Sequence, residues 1–124
     1  MNSGRTKPSP ASANQRRYVR FPLDIRIEVH VLRKGSSFSF WGRTSELGLD
    51  GVGATLTGEL EIGEVVSLEL SLPMVAHPAK VRALVRYRDG LRHGFEFLTM
   101  NKEQRNALRR VCEILGTGTQ GEAF

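Results

Sequence analysis

One cysteine, Cys112, means that no disulfide can form within this chain. Its place among apolar residues at helical spacing reads as a buried structural thiol, and its solitude suits a reducing cytoplasm. No apolar run approaches the ~18 residues that span a membrane, and the N-terminus lacks the apolar core of a signal peptide. The expected location is therefore cytoplasmic, with no membrane insertion. His30, His77 and His93 stand apart with no metal-ligand spacing. No Ser–His–Asp or Cys–His arrangement can be drawn and no paired carboxylates stand out, so the sequence predicts no catalytic residue, no metal and no enzyme activity. Aromatic residues make up 7% of the chain. The single tryptophan, Trp41, reads as core, and no row of aromatics offers a stacking platform for single-stranded nucleic acid.

One further absence is of sign. Residues 44–79 contain no Lys or Arg against six Asp/Glu, whereas residues 1–43 hold nine against two and residues 80–124 nine against five. A net charge of +5 is thus arranged as basic flanks around an acidic middle. That pattern suits a compact anion better than a uniformly basic nucleic-acid surface. The length of 124 residues, with 40% hydrophobic and 25% charged, fits one domain with a feasible core.

Residues 1–15, MNSGRTKPSPASANQ, lack apolar periodicity and read as a disordered tail. RRYVR, Arg16 to Arg20, then places three guanidinium groups within five residues. In FPLDIRIEVHVL, Ile25, Ile27, Val29 and Val31 alternate with polar residues, which predicts a half-buried strand. Arg33-Lys34-Gly35-Ser36 reads as a hairpin turn, followed by a second strand with Phe38, Phe40 and Gly42 on its buried face. Gly48 and Gly51 predict positive φ angles or a close backbone approach. Val52–Leu56 and Val66–Leu72 read as the third and fourth strands. Val81, Ala83, Val85 and Tyr87 mark a fifth, and Asp89-Gly90 opens a loop that includes Leu91 and Arg92 before a sixth with Phe95 and Phe97. Ala107, Leu108, Val111, Ile114 and Leu115 then recur at helical spacing, with Asn101 as N-cap and Gly116 as stop. Residues 117–124 read as a fraying tail. The expected fold is all-β, a small six-stranded antiparallel barrel or sandwich with a flexible N-terminal arm and a C-terminal helix.

The arginine stretch and the turn Glu46–Gly53 supply complementary chemistry. An extended chain sets Arg16 and Arg20 up to ~13–14 Å apart, enough to grip different parts of one dinucleotide-sized ligand. A guanidinium fork meets phosphate oxygens, bonds the O6/N7 edge of guanine, or stacks on a purine. The Glu46 carboxylate can accept from guanine N1–H and its exocyclic amine. Gly48 and Gly51 let backbone N–H groups approach a phosphate. The plain alternative is a solvated basic tail beside an ordinary glycine turn.

The chain resembles a PilZ domain, the bacterial receptor module for cyclic di-GMP. Arg16 and Arg20 match the family's R-x-x-x-R motif, and Glu46-Leu47-Gly48-Leu49-Asp50-Gly51 aligns with its [DN]-x-S-x-x-G motif. FPLDIRIEV and the ending VRALVRYRDGLRHGFEFLTMNKEQRNALRRV are similar to the family's lead-in, last strands and closing helix, so the likeness spans about residues 15–116. The resemblance implies a PilZ-like barrel over 16–116 and a ligand site of Arg16, Arg17, Arg20, Glu46, Gly48 and Gly51. It also implies cyclic di-GMP as ligand, no other cofactor, and a protein effector of unknown identity reached by ordering of the arm. Glu46 replaces the usual Asp or Asn, and Gly48 the usual Ser. One lost hydrogen bond to a charged group is worth roughly 1.5–3 kcal/mol, about ten- to a hundred-fold in affinity, which implies weakened or retuned binding. A degenerate PilZ domain acting as a protein-interaction adaptor is the second expectation, and a basic barrel for RNA or single-stranded DNA a third.

Overall fold

Hydrophobic alternation sets the architecture. A computed structural model of the chain describes residues 19–122, without the side chains of 118–122. It contains seven strands and one helix: β1 Phe21–Pro22, β2 Arg26–Arg33, β3 Ser36–Leu47, β4 Gly51–Leu56, β5 Val65–Leu70, β6 Ala79–Asp89, β7 Arg92–Phe97 and α1 Lys102–Glu122. The strands are ordered β1-β3-β2-β5-β6-β7-β4, and β4 also pairs with β3. That last pairing closes six strands into an antiparallel barrel and leaves β1 as a short extra strand on β3. The expected disordered tail, residues 1–15, lies outside the described residues, as do Arg16 and Arg17.

Closure depends on β3, which is 12 residues long. Its first part pairs with β2 from Arg33↔Ser36 to Arg26↔Arg43, and its last part pairs with β4 from Gly42↔Leu56 to Leu47↔Val52. Gly42 sits where the strand serves both neighbours. A Cβ there would stand 1.9 Å from the Thr55 carbonyl oxygen, so only glycine admits the close backbone approach. The hairpin between β2 and β3 turns on Lys34 and Gly35, both at positive φ (51° and 79°), as a two-residue turn of type I′ requires.

The inward face matches the alternation. Ile27, Val29, Leu68, Leu70, Val52 and Phe95 are among its solvent-free members, and burying each large side chain contributes about 1.5–3 kcal/mol. The helix covers one side of the barrel with Leu108, Val111 and Cys112. It starts in a reciprocal capping box: Gln104 N donates to Asn101 Oδ1 and Asn101 N to Gln104 Oε1, both at 2.7 Å.

Several expectations are corrected. Trp41 lies outside the barrel, 47% exposed, with the Arg26 guanidinium 4.7 Å above its ring. Its odd position in β3 gives it the outer face. Phe38 is also exposed, with the Arg33 guanidinium 5.9 Å from its ring. Tyr87 leaves the inner face because a bulge between Val85 and Tyr87 shifts the register. The expected loop after Asp89 is a two-residue turn, Gly90-Leu91, with Asp89 paired to Arg92. Ile114 is exposed, and the helix runs through Gly116 to Glu122 rather than stopping there.

Candidate functional site

The arm reaches the barrel along the end of β3. Phe21 pairs with Leu47 and Pro22 with Glu46, while Leu23 N donates to Ser45 O at 3.2 Å. Buried Thr44 secures the next step: its hydroxyl accepts from Ile25 N at 3.0 Å and donates to Leu23 O. A bulge between Thr44 and Glu46 leaves Ser45 without a partner on β4 and re-aims Glu46 across the barrel mouth.

Arg20, one residue before β1, therefore comes down on the turn joining β3 to β4. Its Nη1 lies 3.1 Å from Glu46 Oε2 and its Nε 3.1 Å from Asp50 Oδ1. Its side chain is 11% exposed, against 28% and 26% for the two carboxylates. Each is a charge-assisted hydrogen bond of about 1.5–3 kcal/mol, with partial exposure favouring the lower end. Asp50 is the fifth residue of the motif that begins at Glu46. Its position here is that of a second acceptor for the arm.

The glycines explain how the arginine fits. Neither Gly48 nor Gly51 has a positive φ; those among the described glycines are Gly35, Gly63 and Gly90. Close approach is the operative reason. A Cβ at Gly51 would stand 2.1 Å from the Phe95 carbonyl oxygen and 2.8 Å from Arg20 Nη2. A Cβ at Gly48 would stand 2.9 Å from both Arg20 Cδ and Val19 O, and 3.1 Å from Asp50 Oδ1. The missing side chain at 48 is the space the arm occupies. The turn is closed by Gly48 N donating to Gly51 O at 2.9 Å, and it is tied to β7 by Phe97 N donating to Asp50 O at 2.9 Å.

Beside this turn a groove of about 510 Å³ runs between arm and helix, lined by Val19, Phe21, Leu49, Arg109, Cys112, Glu113, Gly116 and Thr117. Burial pushes the Cys112 thiol up to about 11, so it stays protonated and unreactive at neutral pH. The groove offers an apolar wall with Arg109 at its rim.

The PilZ domain family model matches residues 14–113. The chain belongs to the PilZ domain family. No curated protein gives a sequence match. Among solved structures, this PilZ domain is similar to the PilZ domain of YcgR from Escherichia coli with c-di-GMP, at 21% identity and a TM-score of 0.64, over 88% of this chain and 97% of that one. It is also similar to the Bacillus subtilis inhibitor of motility MotI/DgrA, at 18% identity and TM-score 0.67, covering 84% of this chain and 52% of that one. The K. pneumonia MrkH–c-di-GMP complex is a third, at 11% identity and TM-score 0.64, covering 86% and 53%. The chain spans about half the length of the last two. At these identities the likeness establishes the fold.

Of the residues the sequence singled out, Arg20, Glu46, Gly48 and Gly51 come together in this PilZ domain. Three further arginines of β6 and β7, Arg86, Arg88 and Arg92, take different places. Arg86 Nε lies 3.5 Å from Glu96 Oε1, and Glu96 is the register partner of Gly51, so Arg86 borders the turn. Arg92 pairs with Thr55, four residues further along β4, and Arg88 holds Glu59 at 3.1 Å. Those two sit roughly 10–13 Å away along the strand. His93 is buried and structural: Leu60 N donates to its Nε2 at 3.1 Å, and its Nδ1–H donates to Leu91 O at 2.8 Å. Burial holds its pKa below the ordinary histidine value.

Proposed function

We propose that this PilZ domain is a receptor for cyclic di-GMP, and that ligand capture exchanges one set of partners on Arg20 for another. The observation that carries the proposal is the Arg20 side chain lying across the Gly48–Gly51 turn between Glu46 and Asp50. It brings Arg20, the second arginine of the first motif, against the second motif, which supports a shared site. In this arrangement the guanidinium donates to carboxylates of its own chain. Phosphate oxygens, or the O6/N7 edge of guanine, offer the same fork equivalent acceptors. Release of Arg20 turns Glu46 toward guanine N1–H and the exocyclic amine. The groove along Phe21, Leu49 and Arg109 lies in the size range of small-molecule sites and is shaped to take a purine face. Arg16 and Arg17, outside the described residues, supply the remaining positive charge for a ligand with two phosphates. Reordering of the arm then presents a changed surface to a protein effector.

Arg20→Ala tests the exchange. It removes the fork and leaves the barrel core untouched, so it is expected to weaken cyclic di-GMP binding at least about ten-fold while the folded spectrum is kept and the melting temperature falls by the loss of its two carboxylate bonds. Equal affinity in variant and parent would contradict the reading.

One observation favours a second reading, an adaptor that binds protein and no nucleotide. Two carboxylates already satisfy Arg20, and position 48 has no hydroxyl to offer a ligand. In an adaptor, the Arg20→Ala variant keeps its partner binding, and the parent protein gives no heat with the nucleotide.

A further inference from the structure

We propose that the outer face of β2 and β5 carries a divalent transition-metal site, suited to zinc, formed by Glu28, His30 and Glu69. This inference is independent of the nucleotide reading. Glu28 and His30 are two residues apart on β2, so both side chains leave the same face. The β2–β5 register sets Glu69 directly opposite Glu28 and Ser67 opposite His30. Two carboxylates facing each other across a strand pair is an arrangement that sheets disfavour, and a cation between them reverses the sign of the interaction.

His30 points at that pair. Its Nε2 lies 3.2 Å from Glu69 Oε2 and 4.0 Å from Glu28 Oε1, and one donor atom from each of the three residues falls within 4.8 Å of the others. This Nε2 is shut off from solvent and has no hydrogen-bond partner. The other ring nitrogen, Nδ1, lies 2.8 Å from Ser39 Oγ. With Nδ1–H donating to that hydroxyl, Nε2 turns a bare lone pair toward two carboxylates. That tautomer is the one metal-ligating histidines use when their second nitrogen is held by an outer hydrogen bond, whereas in the other, with Nε2–H donating to Glu69 Oε2, the ring needs no cation. Glu28 is oriented from behind, since its Oε2 accepts from Arg26 Nη2 at 3.3 Å, leaving Oε1 for the site.

The donor set selects the ion. One imidazole and two carboxylates suit zinc, whereas calcium and magnesium call for more oxygen ligands. Tetrahedral zinc at 2.0–2.1 Å sets neighbouring donors about 3.3 Å apart. The His30–Glu69 edge already has that length, and a rotation of half-exposed Glu28 closes the other. The fourth position faces solvent and takes a water. Two rival cations are a proton on His30 and the ammonium of Lys80, the register partner of Glu69 on β6.

Titration calorimetry of zinc chloride into the full chain at neutral pH separates them. One saturable site is expected, lost in His30→Asn and in Glu69→Gln, weakened about ten- to a hundred-fold in Ser39→Ala, intact in His77→Asn, and silent to calcium. Should the variants fail to fold, imidazole nitrogen spectra of the parent and of His77→Asn decide the matter, with zinc expected to move the Nε2 signal of His30. Absence of saturable binding, binding that survives both His30→Asn and Glu69→Gln, or a zinc-shifted signal belonging to His77 or His93 would each overturn the proposal.

Discussion

A hydrogen in place of a side chain at Gly48 lets the arm lie flat, and the same vacancy removes the hydroxyl the family usually carries there. In Gly48→Ser the new Cβ meets Val19 O and Arg20 Cδ at 2.9 Å, so the arm must lift. Loss of one bond of about 1.5 kcal/mol is expected to speed trypsin cleavage after Arg20 roughly ten-fold. An unchanged cleavage rate would show that the arm is held elsewhere. His93 supports a second prediction at this scale. Its folded-state pKa lies below the ordinary value, so the unfolded chain binds the proton more readily and acid favours unfolding. Stability is full above the unfolded value of about 6.5, and falls as pH drops below it toward the lowered folded-state pKa. Urea midpoints at pH 7.5 and 5.5 are expected to differ more for the parent than for His93→Gln; equal differences would remove His93 from the account. Single residues were legible in the sequence where one pattern governs them. Arg20 and Glu46 carry obvious chemistry. Asp50 and His30 acquire theirs only from partners 30 positions away for Asp50, and on another strand for His30.

Strand identities followed from alternation because burial on one face imposes a period of two, and four of the six expected strands appear with their inward residues inward. The exceptions are bulges and ends. Tyr87 follows a bulge, Phe38 lies near the β2–β3 turn beneath Arg33, and Gly116 is carried through by a helix already nucleated at its capping box. Trp41 failed for another reason: size and apolarity suggested core, whereas strand parity places it outside beneath Arg26. The segment that delivers the arm is held by one buried side chain. Thr44→Val deletes the hydroxyl bridging Ile25 N and Leu23 O and leaves both backbone groups without that partner. A loss of about 1–3 kcal/mol is expected, seen as a lower melting temperature together with weaker nucleotide binding. Parent-like values in both would mean that β1 alone positions Arg20.

Closure of the barrel was the least legible feature. No local signal states that β3 serves two neighbours, although Gly42 marks the place, nor that β1 pairs with its far end and so brings residue 20 to residues 46–51. The barrel and this pairing together join an apolar groove to that turn and set Arg20 against two carboxylates of the acidic middle of the chain. The central claim is that these parts form one nucleotide receptor. Isothermal titration of cyclic di-GMP into the folded protein tests it most directly. Saturable binding, with a stoichiometry that separates one ligand from a stacked pair and with loss in Arg20→Ala, is the result the account predicts. No heat up to high micromolar ligand, from protein with an intact folded spectrum, would contradict it.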